Sequence, residues 1–306
     1  MNSIFKEYLK MIGYYEIPEF LKKYLKVPIL LRLKNIGYFC GMDYASKDVY
    51  NFKEYISRYD HSLSVSLLTW NLTNSKEATI AALFHDVSTP CFSHVIDYMN
   101  KDYSNQESTE EYTYDILKSD TYLLDCLKID NININDISDF KKYSVVDNNR
   151  PKLCADRLDG IILTGLFWTK DLKIDDVKNI ISDVSLFINE FNEEEIGFRS
   201  EDIAKFVLEI NKNIDIFCHS KEDNYMMELL ASITKYAIDK NIINYKDLYL
   251  LDELELFNIL YGSEDKLILE DLYKFKSIKK ENIPDIDLPD VKIRNLNPLV
   301  NNKRLI

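Results

Sequence analysis

Apolar residues recur at spacings of three and four along most of the chain, a pattern typical of amphipathic helices. The clearest stretch follows Ser200, a suitable N-cap, and has apolar residues at Ile203, Phe206, Val207, Ile210, Ile214 and Phe217. Two similar stripes comprise Val177, Ile180, Ile181, Val184 and Ile188, and Met226, Leu229, Leu230, Ile233 and Ala237. These stripes predict helices that bury one face, and we interpret them as packing surfaces rather than sites.

Few signals interrupt the helical pattern. Breaks are predicted at residues 74–75, 131–136 and 148–151, near Gly197 and at Gly262, and none is long enough for a domain linker. Prolines flank an alternating stretch at residues 291–294, which predicts a short edge strand. The sequence therefore predicts one all-α domain over residues 1–306 with a minor β element near the C-terminus. Its helical core would span about 17–170 and a helical extension about 171–306.

Composition and charge narrow the classes of protein. The 306 residues are 46% hydrophobic with only 7 Gly and 7 Pro, which indicates a folded chain. The net charge of −13 argues against a nucleic-acid partner. The 5 cysteines are widely spaced without a C-x-x-C motif, which favours reduced thiols. Because the first residues are charged and no long apolar run follows, we expect a soluble cytoplasmic protein without a membrane partner.

The chain has only 4 histidines, and two of them flank a predicted helical hairpin. Residues 62–72 and 78–84 are apolar-rich and are joined by a turn, so antiparallel packing would place His61 beside His85 and Asp86. Two imidazoles and a carboxylate suit a divalent transition metal, with a fourth ligand from elsewhere. From these residues alone, histidines that only form hydrogen bonds or cap helices are the more common interpretation.

Four stretches in a fixed order carry a more specific signal. They read PILLRLKNI at 28–36, RYDHSLSV at 58–65, AALFHDVSTPCFSH at 81–94 and LCADRLD at 153–159. Over residues 17 to 165 this arrangement resembles the HD phosphohydrolase superfamily, and within it the deoxynucleoside triphosphate triphosphohydrolase-like branch. Cys91 stands where that branch usually has proline. The resemblance implies a helical fold and hydrolysis of a phosphoester.

The resemblance also implies roles for individual residues. One divalent metal ion (Mn, Fe, Ni, Mg or Zn) would be bound by His61, His85, Asp86 and Asp156. His94 and Asp97, spaced i, i+3, match the catalytic positions, and a carboxylate at that spacing can orient an imidazole on a helix. Arg58 and Arg157 match positions that grip phosphates, although each could instead form an ordinary ion pair.

Several positions depart from the branch and put its substrate in question. Thr89 and Gln106 stand where a vertebrate member has histidines, and Gly160 and Thr164 replace residues that contact the sugar or the phosphates. Tyr38 replaces a glutamine that reads the 3′-hydroxyl, and Phe217-Cys218 replaces a Tyr-Gln pair near the sugar and base. We therefore expect Tyr38, Gln106 and Phe217 to line an altered sugar and base pocket. His219 is interpreted as bonded to backbone and outside the active site.

The sequence thus supports an enzyme hypothesis and two alternatives. The first is a metal-dependent phosphohydrolase that acts on a nucleotide or another phosphoester. The second is a metal-containing sensor or scaffold that binds a nucleotide with little or no turnover. A third is an all-α structural protein with buried histidines and no bound metal. Members of the branch commonly assemble, so a homo-oligomer is expected.

Overall fold

The computed structural model describes residues 3–104, 109 and 111–306, and it is mostly helical. The α-helices in these residues are α1 (Ile4–Met11), α2 (Leu21–Tyr24), α3 (Pro28–Arg32), α4 (Arg58–Thr73), α5 (Lys76–Phe84), α6 (Val95–Asn100), α7 (Thr113–Ser119), α8 (Thr121–Asp130), α9 (Ile134–Ser138), α10 (Ala155–Phe167), α11 (Ile174–Asp183), α12 (Glu201–Cys218), α13 (Lys221–Asp239), α14 (Asp247–Leu250), α15 (Glu253–Gly262) and α16 (Lys266–Ser277). The predicted all-α class with minor β structure is confirmed. Among the described helices, none has the length and apolar run needed to cross a bilayer.

A small sheet of four strands accompanies the helices. Its strands are β1 (Val184–Ile188), β2 (Glu194–Phe198), β3 (Leu299–Val300) and β4 (Lys303–Arg304), paired in that order. β2 and β3 are parallel, whereas the outer pairs are antiparallel. The helical pattern is interrupted near Gly197 as predicted, although Gly197 itself lies inside β2. A Cβ atom there would lie 2.6 Å from the carbonyl oxygen of Leu299, so the close approach of β3 requires glycine.

Two expectations need correction. The apolar stripe that begins at Val177 is helical only to Asp183, and Val184 to Ile188 form β1. The edge strand predicted at residues 291–294 is also wrong, because this segment has no regular structure and the strands begin at Leu299. Its backbone is held instead by hydrogen bonds from Lys292 to the carbonyl of Tyr103 and from Arg294 to Asp215.

The α4–α5 hairpin has the geometry that the sequence predicts. Ser57 and Asp60 form a reciprocal capping box at the start of α4. Asn74 ends α4 in the left-handed region at φ 50°, and the side chain of Ser75 caps α5. The two helices pack against each other over their length. The hairpin therefore places the start of α4 next to the residues that follow α5.

The buried apolar side chains form one cluster that runs from Phe5 in α1 to Leu296 near the C-terminus. Helix α10 packs between α4 and α12, and α13 packs on α6 and α16. The helices after residue 170 therefore bury their apolar faces against the same core that holds the histidines. This arrangement brings the last part of the chain to the site described below.

Candidate metal centre and adjoining cavity

His61 on α4 and His85 after α5 lie with their ring centroids 5.2 Å apart. The Nδ1 of His61 donates a hydrogen bond to Asp159 at 2.7 Å, and the Nδ1 of His85 donates to the carbonyl oxygen of Ala82 at 2.7 Å. The Asp159 carboxylate and the Ala82 carbonyl can only accept a hydrogen bond. Each of the two imidazole rings is therefore assigned a proton on its Nδ1. Hydrogen bonds of this kind orient histidines that bind metals through Nε2.

Two carboxylates approach the same Nε2 atoms. Asp156 Oδ1 lies 3.0 Å from His61 Nε2 and 3.5 Å from His85 Nε2. Asp86 Oδ2 lies 3.8 Å from His61 Nε2, and Asp86 Oδ1 lies 3.7 Å from His85 Nε2. The structure therefore brings together all four residues that the sequence predicts as metal ligands.

The charges of this group suit a cation. Burial alone would raise the pKa of Asp156, but His61 and His85 hold it well below its usual range. Burial lowers the pKa of His61, yet hydrogen bonds to Asp156 and Asp159 outweigh it and raise the pKa to about 10. A divalent ion bound to Nε2 of His61 would take the place of a proton on that nitrogen.

One atom of the centre has carboxylates nearby but no hydrogen-bond partner within the described residues. His85 Nε2 is buried, and no side chain or backbone group there completes a hydrogen bond with it. A buried polar atom without a partner costs free energy unless a ligand or ion satisfies it. Two imidazole nitrogens with two carboxylate oxygens are a suitable donor set for several divalent ions, so the residues fit the predicted metal.

Arg58 connects the centre to the loop before α6. Its guanidinium donates to Asp86 at 2.9 Å and to the hydroxyl of Ser93 at 3.2 Å, and it stacks on the Tyr38 ring at 4.9 Å. Burial opposes the charge, but Asp86 outweighs it and raises the pKa of Arg58. Arg58 therefore already neutralises part of the charge of Asp86, although it also lines the cavity.

His94 and Asp97 form the pair that the sequence predicts. The Nδ1 of His94 lies 2.9 Å from Asp97 Oδ2, and the Asp97 side chain is fully buried while that of His94 is 33% exposed. His94 lines the same cavity as Asp86 and Asp156. Two consecutive residues with positive φ, Phe92 and Ser93, turn the chain just before it. His94 is therefore held at the cavity wall with its Nε2 not engaged by Asp97.

A cavity of about 490 Å³ adjoins the centre. Phe39, Phe52 and Trp168 contribute aromatic walls, with Phe39 and Phe52 stacked at 4.3 Å. Asp223 also lines it, accepts a hydrogen bond from Tyr50 at 2.6 Å and has a pKa raised to about 6 by burial. The cavity thus combines three of the four candidate metal ligands, flat apolar walls and a buried carboxyl group.

The remaining predicted site residues are placed differently. Tyr38 lines the cavity, and its hydroxyl fills the space beside Gly160, where an added Cβ would lie 2.8 Å away. Arg157 lines it too, but it pairs with Asp147 at 2.9 Å and donates to backbone carbonyls. Phe217 is not among the residues that line the cavity; it packs near Trp168 and is 42% exposed.

Two positions named from the sequence remain. Gln106 falls outside the described residues. The ring nitrogens of His219 lie 2.7 Å from the carbonyl oxygen of Asp215 and 3.3 Å from that of Val291, as the backbone interpretation predicts.

A second group, Asp147, Cys154 and Asp156, also lies close enough for a metal ion. However, Asp147 already pairs with Arg157, and burial raises the pKa of the Cys154 thiol well above its ordinary value. A thiol must lose its proton to bind a metal. This group is therefore a poor second metal site.

Sequence reasoning missed several residues of the site. Asp159 belongs to a motif but carried no predicted role, although its i+3 spacing from Asp156 places both on one face of α10. Asp223, Tyr50, Arg150 and Arg294 carry no local motif that would single them out. They reach the cavity only through the packing of distant segments.

With this geometry established, comparisons with known proteins add a distant relationship. The uncharacterised protein YdhJ of Bacillus subtilis is 27% identical over 261 residues, which are 84% of this chain and 75% of that protein. The metal-dependent phosphohydrolase cns2 of Cordyceps militaris is 27% identical over 132 residues, 43% of this chain and 37% of that protein. The chain is distantly similar to a metal-dependent phosphohydrolase. No family model matches the sequence.

Proposed function

We propose that this protein is a metal-dependent phosphohydrolase that cleaves a phosphoester bond of a nucleotide. The observation that carries the proposal is the convergence of His61, His85, Asp86 and Asp156, of which the last three line a cavity large enough for such a ligand. The similarity to cns2 supports the same reaction class. The resemblance of the motifs to the deoxynucleoside triphosphate triphosphohydrolase-like branch supports the choice of a nucleotide.

The four candidate ligands would hold one divalent cation. When bound, such a cation polarises a phosphoryl oxygen and lowers the pKa of a coordinated water towards neutrality. Arg58, which bonds to Asp86 and faces the cavity, would add positive charge close to the phosphoryl group. These residues come from α4, α10 and the turn after α5, so the fold positions them before substrate binds.

His94 is the residue best placed to move a proton. Because Asp97 accepts the proton of Nδ1, Nε2 is left to exchange a proton with water or with the leaving oxygen. The buried Asp97 keeps the ring oriented. His94 would thus act as general acid or base, with Asp97 as its positioning partner.

The walls of the cavity favour a nucleotide over a simple phosphoester. Phe39, Phe52 and Trp168 offer flat apolar surface of the kind on which a base stacks. Asp223 offers an acceptor for a hydroxyl or amino group. Since Gly160 and Thr164 stand where the resembling branch has sugar-contacting residues, we propose weaker selection for the deoxy sugar.

A substrate panel tests the function. The full chain is incubated with nucleoside mono-, di- and triphosphates and with Mn²⁺, Mg²⁺, Ni²⁺ or Fe²⁺ in turn, and the release of phosphate, pyrophosphate and tripolyphosphate is measured. We expect turnover of at least one nucleotide, and we expect His94→Ala to reduce kcat by about 10²–10⁴-fold at unchanged metal content. His219→Gln provides a matched control, because that histidine bonds to backbone outside the centre.

One observation favours the alternative of a sensor without turnover. Thr89 lines the cavity where a vertebrate member of the resembling branch has a histidine, so one group for proton transfer is absent at that position. A protein that hydrolyses none of the nucleotides, but whose melting temperature rises with one of them, would support the sensor and contradict the enzyme.

A further inference from the structure

Besides Arg58, three arginines line the cavity, in a chain whose net charge is −13. They are Arg150, which precedes α10, Arg157 on α10, and Arg294 in the irregular segment before β3. Arginine prefers carboxylate or phosphate partners, which match its planar set of donors. Whether each guanidinium already has such a partner decides whether this wall can bind a ligand.

Arg157 is fully engaged within the protein. It pairs with Asp147 at 2.9 Å and donates to Asn148 and to the backbone carbonyl of Lys152. The resemblance of the sequence implies a phosphate partner for this residue, but the donors on both terminal nitrogens of its guanidinium are already used. A ligand anion would have to break these bonds to reach it.

Arg150 and Arg294 are engaged far less. Arg150 makes one hydrogen bond to the described part of the chain, to the carbonyl oxygen of Asn295 at 3.1 Å, and no ion pair there. Arg294 donates to the carbonyl of Lys292 at 3.2 Å, and its nearest carboxylate, Asp215, is 4.0 Å away. Each guanidinium carries five N–H donors, so most of them are left for another partner.

The positive charges also act on one another. Burial, together with the charges of Arg157 and Arg294, lowers the pKa of Arg150 to about 10, while Asp156 acts in the opposite direction. Arg150 therefore stays charged at neutral pH, and the repulsion it feels would be relieved by an anion. The influence of Asp156 indicates that this wall adjoins the candidate metal centre.

Backbone hydrogen bonds hold the two segments that carry these arginines. The Arg294 N–H donates to Asp215 at 2.9 Å, and the Asn297 N–H donates to the carbonyl of Pro151 at 2.8 Å. With the bond from Arg150 to Asn295, these contacts tie the loop before α10 to the segment before β3. Donors that are already positioned bind an anion at a lower entropic cost.

We propose that Arg150 and Arg294 form an anion subsite that binds a second anionic group of the substrate, next to the phosphoryl group at the metal centre. The inference that this ligand is the substrate rests on the proposed function. The subsite requires a substrate with at least two anionic groups, such as a nucleoside di- or triphosphate. A nucleoside monophosphate would leave the arginines without a partner.

Calorimetric titration of the metal-depleted full chain with inorganic tripolyphosphate tests the subsite without any turnover. We expect the dissociation constant to rise by roughly tenfold or more in Arg150→Gln and in Arg294→Gln, since each removes charge-assisted hydrogen bonds. Arg199→Gln is the matched control, because Arg199 is exposed and does not line the cavity. Orthophosphate, with a single phosphoryl group, should bind more weakly to the wild type and respond less to the same changes.

Equal tripolyphosphate affinity in the wild type and both folded glutamine variants would overturn the subsite, as would an absence of binding to the wild type. Arg150→Lys and Arg294→Lys keep the charge and should retain part of the affinity, which separates loss of the anion site from misfolding. The two proposals fail differently. Arginine-dependent binding without hydrolysis of any nucleotide contradicts only the proposed function, whereas hydrolysis that is unchanged in both glutamine variants contradicts only the subsite.

Discussion

At the scale of single residues, the orientation of His61 depends on the carboxylate of Asp159, which does not line the cavity. Asp159 is fully buried, accepts the Nδ1 proton of His61 at 2.7 Å and also accepts the Tyr8 hydroxyl at 2.5 Å. It therefore fixes which nitrogen of the ring faces the metal position. Its role is to position His61, since it does not touch the cavity.

Replacing Asp159 by asparagine should weaken metal binding by about 10–100-fold, because the amide no longer stabilises the required tautomer of His61. Titration of the metal-depleted chain with Mn²⁺ or Zn²⁺ measures this affinity. Asp60→Asn serves as the control, because Asp60 caps α4 one residue before His61 but forms no contact with the centre. Equal affinities for wild type and Asp159→Asn would show that Asp159 does not orient the ligand.

Single residues also show what the sequence could reveal. The motifs place His61, His85, Asp86 and Asp156 in one group because their spacing is fixed by two helices and a short turn. Asp223 could not be found in this way, because its partner Tyr50 is distant in sequence and its burial depends on packing of the whole chain.

At the scale of elements, the α4–α5 hairpin determines the separation of His61 and His85. The turn requires a left-handed residue, and Asn74 adopts φ 50° and ψ 20° there, with its N–H bonded to the carbonyl of Trp70. Asparagine tolerates this region better than residues with larger or purely apolar side chains. The sequence predicted this turn because polar residues interrupt two regular stripes.

Asn74→Ala should lower the free energy of unfolding by about 1 kcal/mol, or the melting temperature by roughly 2–4 °C, because alanine is strained at positive φ. Asn74→Gly should leave both nearly unchanged, since glycine adopts this conformation freely. Thermal unfolding of the three proteins checks the pair. A loss of equal size in both variants would mean that the asparagine side chain, rather than its backbone conformation, stabilises the turn.

Elements whose pattern is ambiguous were less predictable. The stripe from Ile203 to Phe217 is one helix, as expected, because it starts at a capping residue and stays polar between its apolar positions. The stripe that begins at Val177 contains both helix and strand, since Val184, Leu186 and Ile188 also alternate. Antiparallel pairing with β2, which follows after a short loop at residues 189–193, decides that these residues form β1.

At the scale of the whole molecule, α15 reaches back to hold the loop that carries His94. Glu253 is fully buried and accepts a hydrogen bond from the Phe92 N–H at 3.1 Å. Burial raises the pKa of the Glu253 carboxyl group from 4.5 to about 8, and the nearby Asp43 carboxylate contributes to the same shift. The sequence near His94 could not predict this contact, because Glu253 lies 161 residues from Phe92.

This shift makes stability depend on pH. Between pH 4.5 and about 8 the folded protein keeps a proton on Glu253 that the unfolded chain has lost, so the free energy of unfolding falls as pH rises through that range. Glu253→Gln keeps an acceptor for the Phe92 N–H and does not titrate. We expect it to flatten the pH dependence and to stabilise the protein at pH 8 by about 1–2 kcal/mol.

Melting temperatures of wild type and Glu253→Gln at pH 5, 6.5 and 8 check this expectation, with the exposed Glu281→Gln as the control. The melting temperature of the wild type could fall between pH 5 and pH 8 by no more than that of Glu253→Gln. That result would contradict the prediction, because it would show that Glu253 ionises in the folded protein as it does in water.

The most direct test of the metal centre is the metal content of the purified full chain, measured by mass spectrometry after supply of Mn²⁺, Fe²⁺, Ni²⁺, Mg²⁺ or Zn²⁺ and removal of unbound ions. Four converging ligands predict about one divalent ion per chain, and almost none in the folded double variant His61→Ala, His85→Ala. A wild type that retains none of these ions, or a double variant that retains as much as the wild type, would contradict the centre.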